Sequence, residues 1–213
     1  MSNFTFLVKE IWKGESVTRA FLNLRLSRET LVGKVMDIGG GKNANYISFM
    51  KRAKDIDFVS FDVKTGIQVD FEKDPLPLLT DSCDTVLFLN VMEHIFNYQH
   101  IANEVVRITK PGGQLIGFVP FLMWYHADHR DFFRYTHEAL EIIFTKAGAK
   151  DIRIESVSFG PFIAAAQMVT ASFPRVLRVP IFSFAYLLDS IFFTFRPTHG
   201  KRYALGYYFV LTK

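Results

Sequence analysis

A chain of 213 residues, 49% hydrophobic and 22% charged, can bury a core of its own, is too apolar for extended disorder, and has the length of one domain with an elaboration. The formal net charge of +4 is modest, and basic residues do not interleave with aromatics in a repeating pattern, which argues against a nucleic-acid partner. One cysteine, Cys83, excludes an internal disulfide framework and Cys-rich zinc modules; with no signal-like run in "MSNFTFLVKEIWKGE", it predicts a cytoplasmic protein.

In chain order, Ile11, Val17, Phe21 and Leu24 recur at helical spacing and predict an N-terminal helical cover over residues 1–33. "GKVMDIG" reads as a buried strand ending in a glycine turn, and "YISFMKRA" as a helix that follows it. "DFVSFDV" predicts a second strand, "IQVDF" a short third, and "CDTVLFLNVMEHI" a fourth that ends in polar residues. A helix through "IANEVVRITK" and a fifth strand fed by the turn of "PGGQLIGFVP" come next. Thr136 is placed to cap the helix "HEALEIIFTKAG", closed at Gly148. "KDIRIESVSF" and the terminal "YYFVLTK" predict two more strands, and residues 160–201 between them are apolar and helix-like. Apolar runs alternating with helices predict a doubly wound, mostly parallel sheet.

The turn "VMDIGGGKN" brings bare backbone and a helix start close to any ligand at the strand tip. A phosphate loop would need Lys followed by Ser or Thr after a second glycine, which "GGGKNA" does not supply. A dinucleotide turn fits better, since Gly39, Gly41 and Ala44 match GxGxxA and Asp62 lies about 20 residues on. Asp37 separates the remaining options. A carboxylate two residues before the first glycine repels a pyrophosphate and suits a ligand that carries a sulfonium and an ammonium.

With its acid and its glycines, Gly39, Gly40 and Gly41, "DIGGGKN" resembles the first motif of class I S-adenosylmethionine-dependent methyltransferases; Asn43 stands where that motif has its third glycine. "VSFDV", "VDFEKDPLP", "DSCDTVLFLNVMEHI" and "KPGGQLIGFVP" are similar to later parts of the same family, so the resemblance covers residues 34 to 120. It implies that Asp62 bridges the ribose hydroxyls of the cofactor, that Asp70 and Phe71 lie near adenine, and that Asn90 lies near the methionine end. The implied fold is α/β, a doubly wound seven-stranded, mostly parallel sheet of Rossmann-like methyltransferase type. A single domain would then comprise a cover (1–33), a cofactor-binding core (34–159), an apolar helical insert (160–202) and a final strand (203–213).

"WYHADHRDFFRYTHEAL" gathers polar residues just past a strand end, where open α/β sheets place ligands. The segment resembles the H, x, x, DyfRyT stretch of a methyltransferase subgroup associated with glycan and surface-polysaccharide modification, which implies a small or glycan-like hydroxyl acceptor. His126 and His129 are candidate bases, with His94 competing. Arg130, Arg134 and Tyr135 are candidate acceptor-binding residues, and anchoring of the loop is the other reading of Arg134 and Tyr135. The ligand types of His126, Asp128 and His129 suit a metal, but they lack a distant partner, so no metal is expected.

Arg178, Pro180 and Asp189 interrupt the Phe-rich stretch at 161–200 as a membrane span. Flanking arginines leave three readings open: a cover over the acceptor site, contact with an anionic membrane or lipid-linked acceptor, and a homodimer contact. Two other functional classes also remain, an NAD-dependent oxidoreductase and a non-catalytic, membrane-associated nucleoside-binding scaffold.

Overall fold

The computed structural model describes residues 2–40, 44–61, 69–126, 130–196 and 202–213. Its helices are α1 (Asn3–Lys13), α2 (Val17–Leu26), α3 (Tyr98–Ile108), α4 (His137–Lys146), α5 (Pro161–Thr170) and α6 (Arg175–Phe195). Its strands are β1 (Thr30–Leu31), β2 (Lys34–Ile38), β3 (Lys51–Arg52), β4 (Asp57–Phe61), β5 (Cys83–Leu89), β6 (Thr109–Pro120), β7 (Ile152–Val157) and β8 (Gly206–Thr212). The chain divides into two compact units, one built from residues 1–28, 121–124 and 156–206, the other from residues 29–120, 125–155 and 207–213.

The second unit carries the sheet, in strand order β4-β2-β5-β6-β8-β7. β2 pairs in parallel with β4 and with β5, and β5 in parallel with β6. The last strand runs the other way. Against β6, Gly112 N donates to Lys213 O and Phe121 N to Leu205 O, and against β7, Lys150 N donates to Thr212 O and Leu205 N to Val157 O; partner numbers that fall as the strand rises mark antiparallel pairing. The doubly wound, mostly parallel α/β fold is as expected, with six strands in the main sheet among the described residues, where seven were expected, and an accessory pair of β1 with β3. Strand order reverses at β2, so the tips of β2 and β5 frame the crevice where such sheets bind ligands. Met36, Phe88, Val105, Phe144 and Phe209 are among the buried side chains of this unit's core.

Two expected elements are not formed. In place of a helix through "YISFMKRA", Asn45–Phe49 makes a single 3₁₀ stretch, Met50 turns extended, and Lys51–Arg52 joins β1 as β3. Asn, Tyr, Ile, Ser and Phe are all indifferent helix formers, and buried Tyr46 and Met50 fix this segment by tertiary contact instead. The third strand, expected at 67–71, is absent over Val69–Phe71, while residues 67 and 68 lie outside the described residues. Asp70 folds this stretch back: its carboxylate accepts from Glu72 N at 3.0 Å and its carbonyl from Lys73 N and Asp74 N, an Asx turn that competes with extended backbone.

The first unit is helical. Ser2 and Ser16 accept from Thr5 N and Arg19 N as N-caps of α1 and α2, and Gly14, at φ +104°, separates the two helices. Leu7, Ile11, Ala20, Ile163, Phe182 and Leu205 bury a common core. Of the 160–201 stretch, expected to be helical, residues 160–196 are described and hold two helices, α5 and α6. Asp189, buried within apolar α6, accepts from Phe162 N at 3.0 Å and Ile163 N at 2.8 Å, so it caps α5 from a distant helix. A side chain at Gly160 would stand 2.4 Å from the same carboxylate, which explains the glycine. Burial pushes the Asp189 carboxyl up, and the two amides hold it down.

Replacing Asp189 with Ala strands two helix-end amides, and urea denaturation is expected to show a loss of about 1–3 kcal/mol. Replacing Ile191, which is half exposed on the same helix, with Ser is expected to change stability by less than about 0.5 kcal/mol.

Candidate functional site

Asp37 is the penultimate residue of β2, with its side chain fully buried. Tyr46 OH donates to Asp37 Oδ2 at 2.6 Å, and Oδ1 has no hydrogen-bond partner among the described residues. Burial raises this carboxyl from 3.8 to about 6, against the lowering effect of the Tyr46 bond. The glycines fit around the pair. A Cβ on Gly40 would lie 1.8 Å from Asp37 Oδ2 and 2.1 Å from Tyr46 OH; one on Gly39, at φ +84°, would lie 2.5 Å from a Val91 methyl. Their missing side chains therefore make room for the protein's own atoms. Gly41 and Asn43 lie outside the described residues.

The group implied by the fold carries cationic centres, and the donor set at the β2 tip fits it: an orphaned, buried carboxylate oxygen beside backbone from which side chains are excluded. Of the other cofactor candidates, Asp62 lies outside the described residues, immediately after β4. Asp70 is exposed and engaged in its own turn, with Lys73 3.2 Å away; the Glu72 amide, first, and Lys73 hold its carboxyl below the usual range. Phe71 is half-buried against the sheet core. Asn90 follows β5 in left-handed backbone, φ +54°, with its N–H donating to Phe118 O at 2.9 Å; Asn is among the few residues that adopt this conformation readily. Phe118 is buried in the sheet.

His94 and His126, 32 residues apart in sequence, come together with ring centroids 5.6 Å apart. A strut of hydrogen bonds sets their positions. Phe132 N donates to Glu93 O at 2.8 Å, Tyr135 OH donates to Met92 O at 3.3 Å, and the His94 Nδ1 meets Arg130 O. Asp131 accepts from His126 N at 2.8 Å and binds Arg134 with both oxygens, Nη2 to Oδ2 at 2.7 Å; the guanidinium holds the Asp131 carboxyl below its ordinary value. Arg134 and Tyr135 are thus built into the loop, while Arg130 is exposed. His129 lies outside the described residues. Among the described residues, no three His, Cys, Asp or Glu converge to hold a metal.

Three residues with structural prominence were not singled out by sequence. Glu93 is buried, neither carboxylate oxygen has a hydrogen-bond partner among the described residues, and Oε1 lies 3.7 Å from His94 Nε2. Burial pushes its carboxyl up to about 8, partly opposed by Arg134. Its only sequence signal is its place inside "NVMEHI". Tyr46 was hidden in the expected helix. Glu72 accepts from Phe96 N and Asn97 N at 2.8 and 2.7 Å, holding the start of α3, with no local pattern to mark it.

The family model described as a methyltransferase domain matches residues 36–117, from within β2 to within β6. No curated protein matches. Among solved structures, an S-adenosylmethionine-dependent methyltransferase from Archaeoglobus fulgidus is similar over 98% of this chain and 99% of its own, at 15% identity and a TM-score of 0.56. The complex of the Haloferax volcanii Trm112 methyltransferase activator with a putative methyltransferase is similar over 95% of this chain and 92% of the other, at 17% identity and a TM-score of 0.54. Haemonchus contortus phosphoethanolamine N-methyltransferase 2, in complex with phosphomonomethylethanolamine and S-adenosylhomocysteine, aligns with 92% of this chain at 14% identity and a TM-score of 0.52. This chain spans about half, 52%, of that protein's length. The fold is the Rossmann-like methyltransferase fold, and residues 36–117 match a methyltransferase domain. The methyltransferase-domain match favours the methyltransferase reading of the glycine turn over the oxidoreductase one.

Because Glu93 titrates at about 8 in the folded chain and near 4.5 as an ordinary glutamate, the native state holds the extra proton between those values, and stability falls as pH rises through that window by at most about 1.4 kcal/mol per pH unit. Glu93→Gln, a mimic of the neutral acid, is expected to match the parent closely in thermal melts at pH 5 and to melt higher at pH 9. Tyr46→Phe removes the bond that lowers the Asp37 carboxyl, so its midpoint, followed by carbon NMR, is expected to move above about 6.

Proposed function

We propose that this S-adenosylmethionine-dependent methyltransferase methylates a hydroxyl of a small or glycan-like acceptor, with His94 and His126 flanking the acceptor oxygen and His129 close in sequence. The pairing of His94 with His126 across 32 residues supports this reading: two imidazoles held together past the sheet's ligand-binding edge can take a proton from a hydroxyl near neutral pH. Glu93, with Oε1 3.7 Å from His94 Nε2 and its carboxyl still protonated at neutral pH, can give up that proton as His94 becomes charged and so balance the imidazolium.

The cofactor, when bound, supplies a methyl group already activated by its sulfonium. The chain's own tasks are to bind, orient and exclude water, and positioning of that kind is worth roughly 7–11 kcal/mol of barrier. Asp37 offers an anionic partner to the cationic end of the cofactor, and Asp62, Asp70, Phe71 and Asn90 are its proposed contacts at ribose, adenine and methionine. Arg130, with Arg134 and Tyr135 behind it, is proposed to hold the acceptor.

A lipid-linked acceptor, met at the cytoplasmic face of a membrane, is supported by α6. By length and composition, its 21 residues could cross a bilayer, but Asp189 is committed to capping α5. Its surface nonetheless shows Val176, Phe184, Leu187, Ile191 and Phe195 to solvent, at spacings of three, four and eight residues that fall along one stripe, with Arg175, Arg178 and Arg196 at its ends. Such a stripe suits an interfacial helix lying on anionic lipid.

His126→Ala is expected to keep S-adenosylhomocysteine affinity within about twofold and to lower kcat at least about 100-fold with an O-acceptor; unchanged kcat removes it from proton transfer. Flotation of the full chain with anionic vesicles is expected to carry the protein upward, and Phe184→Ser with Ile191→Ser to leave it behind.

A further inference from the structure

The helical unit contains a cavity of about 230 Å³ that methyl transfer, as proposed, does not use. Arg25 in the last turn of α2, Arg28 just beyond it, and Ser156 and Ser158 contribute to its lining, which includes no aspartate or glutamate. Arg28 is exposed and makes no ion pair among the described residues. A basic residue in the last turn suits the helix dipole, which accounts for Arg25 and leaves Arg28, beyond the helix, unexplained. Other parts of the lining are aromatic: Phe21, with Phe159 and Tyr186 stacked at 4.3 Å and 7° between planes.

Arg28, exposed at a concavity whose lining holds no acid, gives it a positive potential that draws anions. Guanidinium forks match phosphate oxygens two at a time, and serine hydroxyls add single donors. The volume is below the roughly 300 Å³ at which pockets for drug-sized ligands begin, so it holds a head group with a ring or short chain rather than a whole lipid. We propose that this cavity binds a phosphomonoester with an apolar or aromatic body, the phosphate at Arg25 and Arg28 and the body against Phe21, Phe159 and Tyr186. A soluble aryl phosphate and the head group of phosphatidic acid present the same chemistry. The site shares no residue with the acceptor chemistry proposed for the histidines, so either can fail alone.

Calorimetric titration of the full chain with phenyl phosphate and with inorganic phosphate, beside flotation with phosphatidylcholine vesicles with and without one part in about five of phosphatidic acid or of phosphatidylserine, tests it. Saturable binding of phenyl phosphate, tighter than inorganic phosphate and weakened about tenfold or more by Arg28→Gln and Arg28→Glu, supports a soluble ligand. Flotation that is stronger with phosphatidic acid than with phosphatidylserine at equal charge, the excess being lost in the same variants, supports the lipid source. S-adenosylhomocysteine affinity, unchanged in both variants, reports an intact fold, and the Gln variant serves if Glu is not tolerated. Absence of both kinds of binding, equal binding by parent and variants, or phenyl phosphate bound no tighter than inorganic phosphate overturns the proposal.

Discussion

A hydrogen bond 2.6 Å long, from Tyr46 to the buried carboxylate of Asp37, is the constraint around which the β2 tip is arranged. Burial makes ionisation of Asp37 costly, and one phenol does not offset that cost, so its carboxyl rests near 6 with one oxygen unpartnered among the described residues. A group left in that state calls for a donor or a positive charge. The glycine turn follows from the same bond, because any side chain on Gly40 would collide with the Asp37–Tyr46 pair. A sulfonium and an ammonium relieve the carboxylate; a diphosphate would aggravate it. Electrostatics and packing thus meet at the same glycine-rich turn.

A second dependency joins the tip of β5 to the loop after β6. The Asp131–Arg134 pair fixes the loop, the loop's amides and hydroxyl bind the Met92–His94 turn, and the His94–His126 pair results. Arg134 thus acts on the position of the His126 imidazole through Asp131. The helical unit repeats the device on its own terms, with Asp189 of α6 closing the open end of α5. In each case a buried carboxylate, expensive alone, is made tolerable by backbone amides or a guanidinium.

Much of this was legible in sequence because it is local. Strand runs, the Thr136 cap and the positive-φ Gly148 lie within a few residues of their causes, and the acid before the glycines marked the β2 tip. What was not legible depends on distant partners. Tyr46 sits in a stretch that reads as helix until β1 claims Lys51 and Arg52 as a neighbouring strand. Val69–Phe71 reads as strand until Asp70 folds it into a turn. Glu93 and Glu72 look like ordinary surface glutamates, and only the fold shows one to be buried and the other to hold the start of α3.

Cofactor affinity measured against pH tests the central electrostatic claim most directly. With Asp37 titrating near 6, S-adenosylmethionine is expected to bind more tightly as pH rises from 5 to 7 and then to level off, and Asp37→Asn to bind weakly with a flat profile. An affinity independent of pH across that range, or the same profile in parent and Asp37→Asn, would contradict the account.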